Sequence, residues 1–239
     1  MPDLSDKVAI VTGSTKGIGR SVAEHLVAAG SRVVVSARTE ADVERTAAEL
    51  GDLATPIPCD VADPEECEKL VQQTVRQLGR LDILVNNAGL GVFKPISELS
   101  VEEWRRQIDV NLGGVFYCSK AALKPLSESG DGFIINIGSL ASRNTFPGGT
   151  GYNASKFGLL GMTEAMMLDV RYDDVRVSVV MPGSVNTPFS GREPSGERTW
   201  RLQPEDCALA VMQLLEYPKE AHVSRIEMRP SQPNRGGGR

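Results

Sequence analysis

Residues 8–19 read Val8-Ala9-Ile10-Val11-Thr12-Gly13-Ser14-Thr15-Lys16-Gly17-Ile18-Gly19. A short apolar, mostly β-branched run ends in a glycine-rich turn, and a helical pattern over residues 17–29 begins inside that turn. The order is strand, tight turn, helix. Gly13, Gly17 and Gly19 allow a sharp turn and the close approach of a pyrophosphate to the helix N-terminus, where unpaired N–H groups and the helix dipole favour anions. Ser14, Thr15, Lys16 and Ile18 complete the turn, so residues 13–19 form a candidate dinucleotide cradle. The plain alternative is an ordinary glycine-rich connection. Its place after the first strand and at the mouth of a helix favours the nucleotide reading.

The same alternation continues outward. Strand candidates lie at 7–12, 32–36, 54–59, 81–85, 132–137, 175–181 and 223–228, with helix candidates at 17–29, 39–50, 64–78, 101–128, 152–172 and 205–216. Asp63 before Pro64 and Ser100 with Glu103 carry helix-start signals. Near-continuous hydrophobic strands, each followed by a helix, predict a parallel sheet covered on both faces. The expected class is α/β: a Rossmann-like doubly wound sheet of about seven strands in three α/β/α layers. With no Pro/Ser-rich linker, residues 1–230 read as a single domain, and the polar tail 231–239 as disordered.

The charge balance excludes several function classes. The 239 residues hold 26 Lys and Arg against 31 Asp and Glu, a formal net charge of −5, which argues against a nucleic-acid or anionic-membrane partner. No apolar run approaches the ~18–20 residues that span a bilayer; from the polar start no signal peptide is expected, and a soluble, cytoplasmic protein is expected. Cys59, Cys67, Cys118 and Cys207 lack Cys-x-x-Cys spacing and read as reduced structural thiols. With only His25 and His222 as histidines, no metal site is expected.

The residues after the second strand bear on which dinucleotide is bound. NAD binders place an acidic residue about 20 positions past the glycines, on the ribose 2′-hydroxyl. Here Val35-Ser36-Ala37-Arg38 offers an arginine instead. A guanidinium suits a 2′-phosphate, and Lys16 adds a second cation, so NADP(H) is favoured over NAD(H).

Tyr152-Asn153-Ala154-Ser155-Lys156 places a phenol and an ammonium four residues apart on one helix face. Ser139 ends the fifth strand, Asn86-Asn87-Ala88-Gly89 ends the fourth, and Asn111 lies in the helix that follows it. With these residues in this order, the chain resembles the short-chain dehydrogenase/reductase family in its short single-domain branch, over roughly residues 5–190. The glycine turn, Asp60, Asn87, Ala88, Gly89, Asn111, Ser139, Tyr152, Lys156 and Pro182-Gly183…Thr187 carry the resemblance.

The resemblance implies an NADP(H)-dependent oxidoreductase moving hydride between nicotinamide and a carbonyl or secondary alcohol, with Asn111, Ser139, Tyr152 and Lys156 catalytic. Tyr152 is the implied general acid or base; a free phenol titrates near ~10, and a nearby Lys156 ammonium lowers that value. Lys156 also holds the nicotinamide ribose, Ser139 polarises the carbonyl, and Asn111 holds a water that relays protons. Asp60, beside Val61, contacts the adenine, Asn87 the adenosine side with Ala88 and Gly89, and Thr187 the carboxamide, near Pro182, Gly183 and Val185. Plainer readings stay open: Asp60 as a turn or cap residue, and Asn111 as a helix-distorting structural residue.

Two regions depart from the family pattern. The segment between Thr187 and Pro204 is short for a substrate lid, and the last strand ends Val223-Ser224-Arg225-Ile226-Glu227-Met228-Arg229-Pro230. In place of the Asp-Gly-Gly end of 3-oxoacyl-carrier-protein reductases, this resembles reductases of small carbonyls or hydroxy acids. Arg143, Asn144, Thr145, Phe146 and Pro147, with Phe189, Arg192, Arg198, Trp200 and Arg201, are candidate substrate contacts; the arginines read as anion binders or, preferably, as solvated charge. Rival classes are a catalytically silent NADP-binding regulator, a hydrolase built on Ser139, Asp169 and His222, and an epimerase or dehydratase. The hydrolase lacks the Gly-x-Ser-x-Gly elbow. Relatives dimerise through the helices near 101–128 and 152–172, here bearing Val115, Phe116, Leu159 and Met162, so a homodimer or homotetramer is expected.

Overall fold

The computed structural model describes residues 2–191 and 200–233. Within them, β1 (Val8–Thr12), β2 (Arg32–Ser36), β3 (Ala54–Pro56), β4 (Ile83–Asn86), β5 (Gly132–Ile137), β6 (Val175–Pro182) and β7 (Arg225–Met228) form one sheet. Its order is β3-β2-β1-β4-β5-β6-β7, and every pairing is parallel. The crossovers are α1 (Gly17–Ala28), α2 (Glu40–Leu50), α3 (Pro64–Leu78), α4 (Val101–Ile108) with α5 (Gly114–Glu128), α6 (Thr150–Val170) and α7 (Pro204–Glu216).

Strand residues feed two cores, one on each face. Ala9 and Val11 of β1 pack with Val22 and Leu26 of α1 and Val211 and Leu214 of α7. Ile10 packs on the opposite face with Leu70 of α3 and Leu126 of α5. The strands are therefore apolar at successive positions rather than alternate ones, as expected for a sheet covered on both sides. Strand order reverses between β1 and β4, which opens a crevice at their carboxyl ends. The opposite ends are tied by fully buried Asp82: its carboxylate accepts from Val8 N (3.0 Å), Arg80 Nη2 (2.6 Å) and Lys7 Nζ (3.3 Å).

Several boundaries differ from the sequence reading. The single helix expected over 101–128 is broken, because Asp109–Gly113 wind in a wider π-type turn between α4 and α5. β3 stops at Pro56, yet Ile57 N and Cys59 N still pair with Val35 O and Ala37 O (3.0 Å each). β3 is an edge strand, so only alternate N–H groups face β2, and Pro56 and Pro58, with no N–H to give, occupy the positions between them. β4 is assigned from Ile83, although Asp82 N still donates to Val8 O and Asp82 O accepts from Phe133 N (2.9 Å each). α6 begins two residues early, at Thr150. The helix-start signals hold: Asp63 Oδ1 accepts from Glu65 N and Glu66 N, and Ser100 and Glu103 form a reciprocal cap.

All four cysteines are free and buried, and no described helix is long and apolar enough to cross a membrane. The expected tail is described only as far as Pro233; residues 234–239 lie outside the described residues.

Candidate active site

The site lies along the carboxyl edge of the sheet, and its construction starts at the glycine turn. Gly13 and Gly17 take φ of 64° and 57°, a region that side-chain-bearing residues rarely adopt. A Cβ on Gly13 would come within 2.9 Å of Ala88 Cα, so the turn packs directly on the end of β4. Thr12 and Asn87 sew the two together. Thr12 Oγ1 accepts from Asn87 N (3.0 Å) and Ala88 N (3.1 Å), while Asn87 Nδ2 donates to Thr12 O (2.9 Å) and Gly13 O (3.0 Å). Ser14 Oγ accepts from Ser36 N (2.9 Å), which joins the turn to the end of β2.

Lys16 caps α1 in extended conformation with no side-chain capping bond, leaving the first-turn N–H groups to face an anion. Lys16 and Arg38 are both exposed, and neither has an ion-pair partner among the described residues. A Cβ on Gly17 would touch Thr187 Cγ2 at 3.2 Å, so Thr187 overhangs the turn. Its segment is anchored on both sides: Gly183 N donates to Met228 O, and Ser184 and Asn186 pair with Leu202. Val185 forms an isolated bridge to Leu202.

Asp60 Oδ1 accepts from Ala62 N (3.1 Å), which realises the turn role allowed by its sequence. Val61 is buried against Gly114, where a Cβ would sit 2.8 Å from both Val61 Cγ2 and Val61 O.

The second half of the site gathers the four expected catalytic residues. Ser139 follows β5, and its Oγ accepts from Ala141 N (3.1 Å), which leaves its proton free. Burial, the stronger influence, pushes the Tyr152 phenol's pKa up, while the neighbouring Ser139 hydroxyl pulls it down. This reverses the direction expected from the sequence, where Lys156 was to set the value. Lys156, one turn along α6, is buried and its pKa falls to about 8 through burial. Its Nζ donates to Ile137 O (2.9 Å) and lies 5.9 Å from the Tyr152 ring centroid. A Cβ on Gly89 would press on Asn111 Oδ1 at 3.3 Å.

Asn111 lies in the π-type turn, fully buried. Its Oδ1 accepts from Leu90 N (2.8 Å), and its Nδ2 donates to Leu90 O (2.8 Å) and Ser155 Oγ (3.0 Å). Its side chain is therefore a clamp on the loop after β4. Gln107, unmarked in the sequence, accepts from Val92 N (3.0 Å) in the same loop. A polar residue one turn before Asn111, on the same face, was the available signal.

An aromatic wall surrounds Tyr152. The Phe93 and Phe189 centroids lie 5.4 and 5.7 Å from the phenol ring, and Phe146 packs edge-on against Phe93 at 5.6 Å. Ser190 Oγ donates to Gly91 O (2.8 Å) and fastens the lid to the β4 loop. Of the candidate substrate contacts, Arg143 is ion-paired to Glu227 at 2.6 Å, and Asn144 Nδ2 turns back to Leu140 O. Trp200 and Arg201 stack together and border a separate cavity of about 340 Å³ with Asp206 and Pro230. Arg192 and Arg198 lie outside the described residues.

The hydrolase reading is not supported. His222 Nε2 bonds Val177 O (2.9 Å) on β6, three residues before the position beside Ile137, or roughly 10 Å along the strand. Among the described residues no group of His, Cys, Asp and Glu could hold a metal ion.

A family profile described as short chain dehydrogenase matches residues 7–198. The chain belongs to the short-chain dehydrogenase family. An uncharacterized oxidoreductase of Staphylococcus saprophyticus is 37% identical over 235 residues, covering 96% of this chain and all of the relative. The alcohol dehydrogenase of the archaeon Thermococcus sibiricus, complexed with 5-hydroxy-NADP, superposes with a TM-score of 0.89 at 34% identity, covering 94% of this chain and 97% of that one. A 3-ketoacyl-(acyl-carrier-protein) reductase from Brucella melitensis, complexed with NADH, gives 0.85 at 27% identity over 93% and 96%. This short-chain dehydrogenase is an oxidoreductase whose fold takes an NAD(P) nucleotide.

Proposed function

We propose that the protein uses NADP(H) to interconvert a small carbonyl compound and its secondary alcohol, with Tyr152 as general acid in reduction and general base in oxidation. The observation that carries this reading is the grouping of Ser139 with the buried Tyr152 phenol and the buried Lys156 ammonium, whose Nζ lies 5.9 Å from the phenol ring centroid. A bound nicotinamide supplies or accepts the hydride. The chain's own residues handle the proton and the charge. Ser139, with its Oγ already accepting from Ala141 N, directs its proton to the carbonyl oxygen and polarises it. Tyr152 gives up its phenolic proton to that oxygen. The resulting phenolate is buried among Phe93 and Phe189, and the Lys156 ammonium offsets the cost of placing a charge there.

The residues present fit the nucleotide. The positive-φ glycines 13 and 17 and the uncapped α1 N-terminus suit its pyrophosphate, the residues from Asp60 to Val61 and from Asn87 to Gly89 line the adenosine side, and Thr187 overhangs the nicotinamide end with Pro182, Gly183 and Val185. Lys16 and Arg38 are unpaired cations where a 2′-phosphate would lie, which supports NADPH over NADH. Asn111, besides clamping the loop after β4, is the residue proposed to hold a water that relays protons. The likeness to an alcohol dehydrogenase supports alcohol–carbonyl chemistry. A catalytically silent nucleotide binder is disfavoured because all four catalytic positions are filled.

NADPH oxidation across 3-oxoacyl thioesters, aldehydes and diketones, and NADP+ reduction by 3-hydroxy acids, with NADH and NAD+ as controls, is the direct test. Tyr152→Phe is expected to lower turnover by at least about a hundredfold while leaving NADPH affinity nearly intact; retained turnover removes Tyr152 from its role. Arg38→Asp is expected to weaken NADPH far more than NADH, and equal losses would withdraw the cofactor preference.

A further inference from the structure

Asn153, next in sequence to Tyr152, is buried and makes every bond its amide can reach in one loop. Its Nδ2 donates to Ala141 O (2.8 Å) and Asn144 O (2.9 Å), and its Oδ1 accepts from Phe146 N (3.4 Å). The backbone agrees: Asn153 N donates to Gly149 O at 2.7 Å. A Cβ at Gly149 would collide with Asn153 Oδ1, so a glycine there leaves space for the amide.

The loop held in this way is the one that presents Ser139. Ala141 is the shared link: its C=O is gripped by Asn153, and its N–H holds Ser139 Oγ. We propose that Asn153 is a positioning residue that fixes the Ser139 hydroxyl relative to Tyr152 by bracing the Leu140–Phe146 loop against α6.

The logic is geometric. Successive residues on a helix point about 100° apart, so α6 aims the acid/base of residue 152 into the cleft and the bracket of residue 153 at the neighbouring loop. The Ser139 hydroxyl and the Tyr152 phenol are then both referred to one rigid element. A residue that only filled space here would not need two carbonyl acceptors and an N–H donor at once. Replacement by Ala frees three backbone groups and lets the loop relax, and a misplacement on the order of 1 Å costs up to about a hundredfold in rate.

The inference rests on the roles given above to Ser139 and Tyr152, so its test is a double-mutant cycle. Asn153→Ala, Ser139→Ala and the double variant are compared in three measurements. These are kcat/KM on the panel carbonyl that wild type reduces fastest, the NADPH dissociation constant by fluorescence, and the tyrosinate absorbance titration of the NADP+ complex, with the Tyr152→Phe signal subtracted. Asn153→Ala is expected to lower kcat/KM at least tenfold and raise the Tyr152 midpoint by about one pH unit, the worth of one hydrogen bond. NADPH affinity should stay within twofold, and both effects should disappear on the Ser139→Ala background. Should Asn153→Ala not yield folded protein, Asn153→Ser, which keeps one donor for a carbonyl, is expected to fall between wild type and Ser139→Ala in both readouts.

An unchanged midpoint, or an undiminished loss on the Ser139→Ala background, overturns the inference. If Ser139→Ala and Tyr152→Phe themselves leave turnover intact, the assignment of the site fails first. If they abolish turnover and Asn153→Ala does not, only the positioning role fails.

Discussion

Lys156 shows how burial turns an ordinary surface residue into a reactive one. The sequence places it one turn from Tyr152 but says nothing of its surroundings. The fold buries it and brings its pKa down from 10.5 to about 8. Because the folded-state value is depressed, the unfolded chain binds the extra proton between about pH 8 and 10.5, and stability rises with pH across that window. Over the two units from pH 8 to pH 10 this contributes about 2 kcal/mol. The raised Tyr152 pKa acts in the opposite sense above pH 10, but it is common to wild type and to a Lys156 variant. Urea denaturation of Lys156→Met should therefore lack about 2 kcal/mol of the pH 8-to-10 rise seen in wild type, and its turnover should be lost. Parallel pH curves would mean that the ammonium is not desolvated in the fold. Residues of this kind are legible in type and spacing, whereas the direction of their titration is set by tertiary burial.

At the scale of elements, the regular units were legible and the irregular one was not. Hydrophobic runs, Asp63-Pro64 and the Ser100/Glu103 pair locate strands and helix starts because each signal is local. The π-type turn at Asp109–Gly113 has no residue code. It is held by Asn111 bonding Leu90, across a separation that only the folded chain supplies. Thr12, Gln107 and Asn153 escaped the sequence reading for the same reason: each is an unremarkable polar residue until its backbone partners arrive. Gly114 joins the irregular turn to the Val61 segment, which the proposed function puts beside the adenine. Adding a methyl group there pushes on Val61 Cγ2 and on its carbonyl oxygen, both 2.8 Å away, and backbone atoms yield poorly. Gly114→Ala is expected to cost about 1–3 kcal/mol in chemical denaturation and to weaken NADPH binding, because the displaced Val61 carries Asp60 with it. Unchanged stability and affinity together would show that the Val61 segment is free to move.

For the molecule as a whole, the open question is what covers the outer faces of α5 and α6. Of the four residues marked in the sequence, Val115 and Leu159 are core, Met162 is half-buried, and Phe116 is exposed. The exposed apolar set is instead Phe116 with Phe157 and Leu168, at 47%, 42% and 55% exposure. Phe157, Gly161 and Leu168 follow one stripe of α6, and Gly161 has open space around it. Apolar faces of this kind rarely stay bare in solution. The other open edge differs: β7 carries Arg225, paired to Glu164, and Glu227, paired to Arg143 and Arg229. Charged edge strands resist further strand pairing. The two observations favour a dimer through α5 and α6 over assembly through β7. Sedimentation of the wild type is expected to give a dimer, reduced to monomer by Phe157→Glu and unaffected by Arg225→Glu. A species that survives Phe157→Glu but dissociates in Arg225→Glu would reverse that order, with the charged edge acting as the contact and the aromatic face left to solvent.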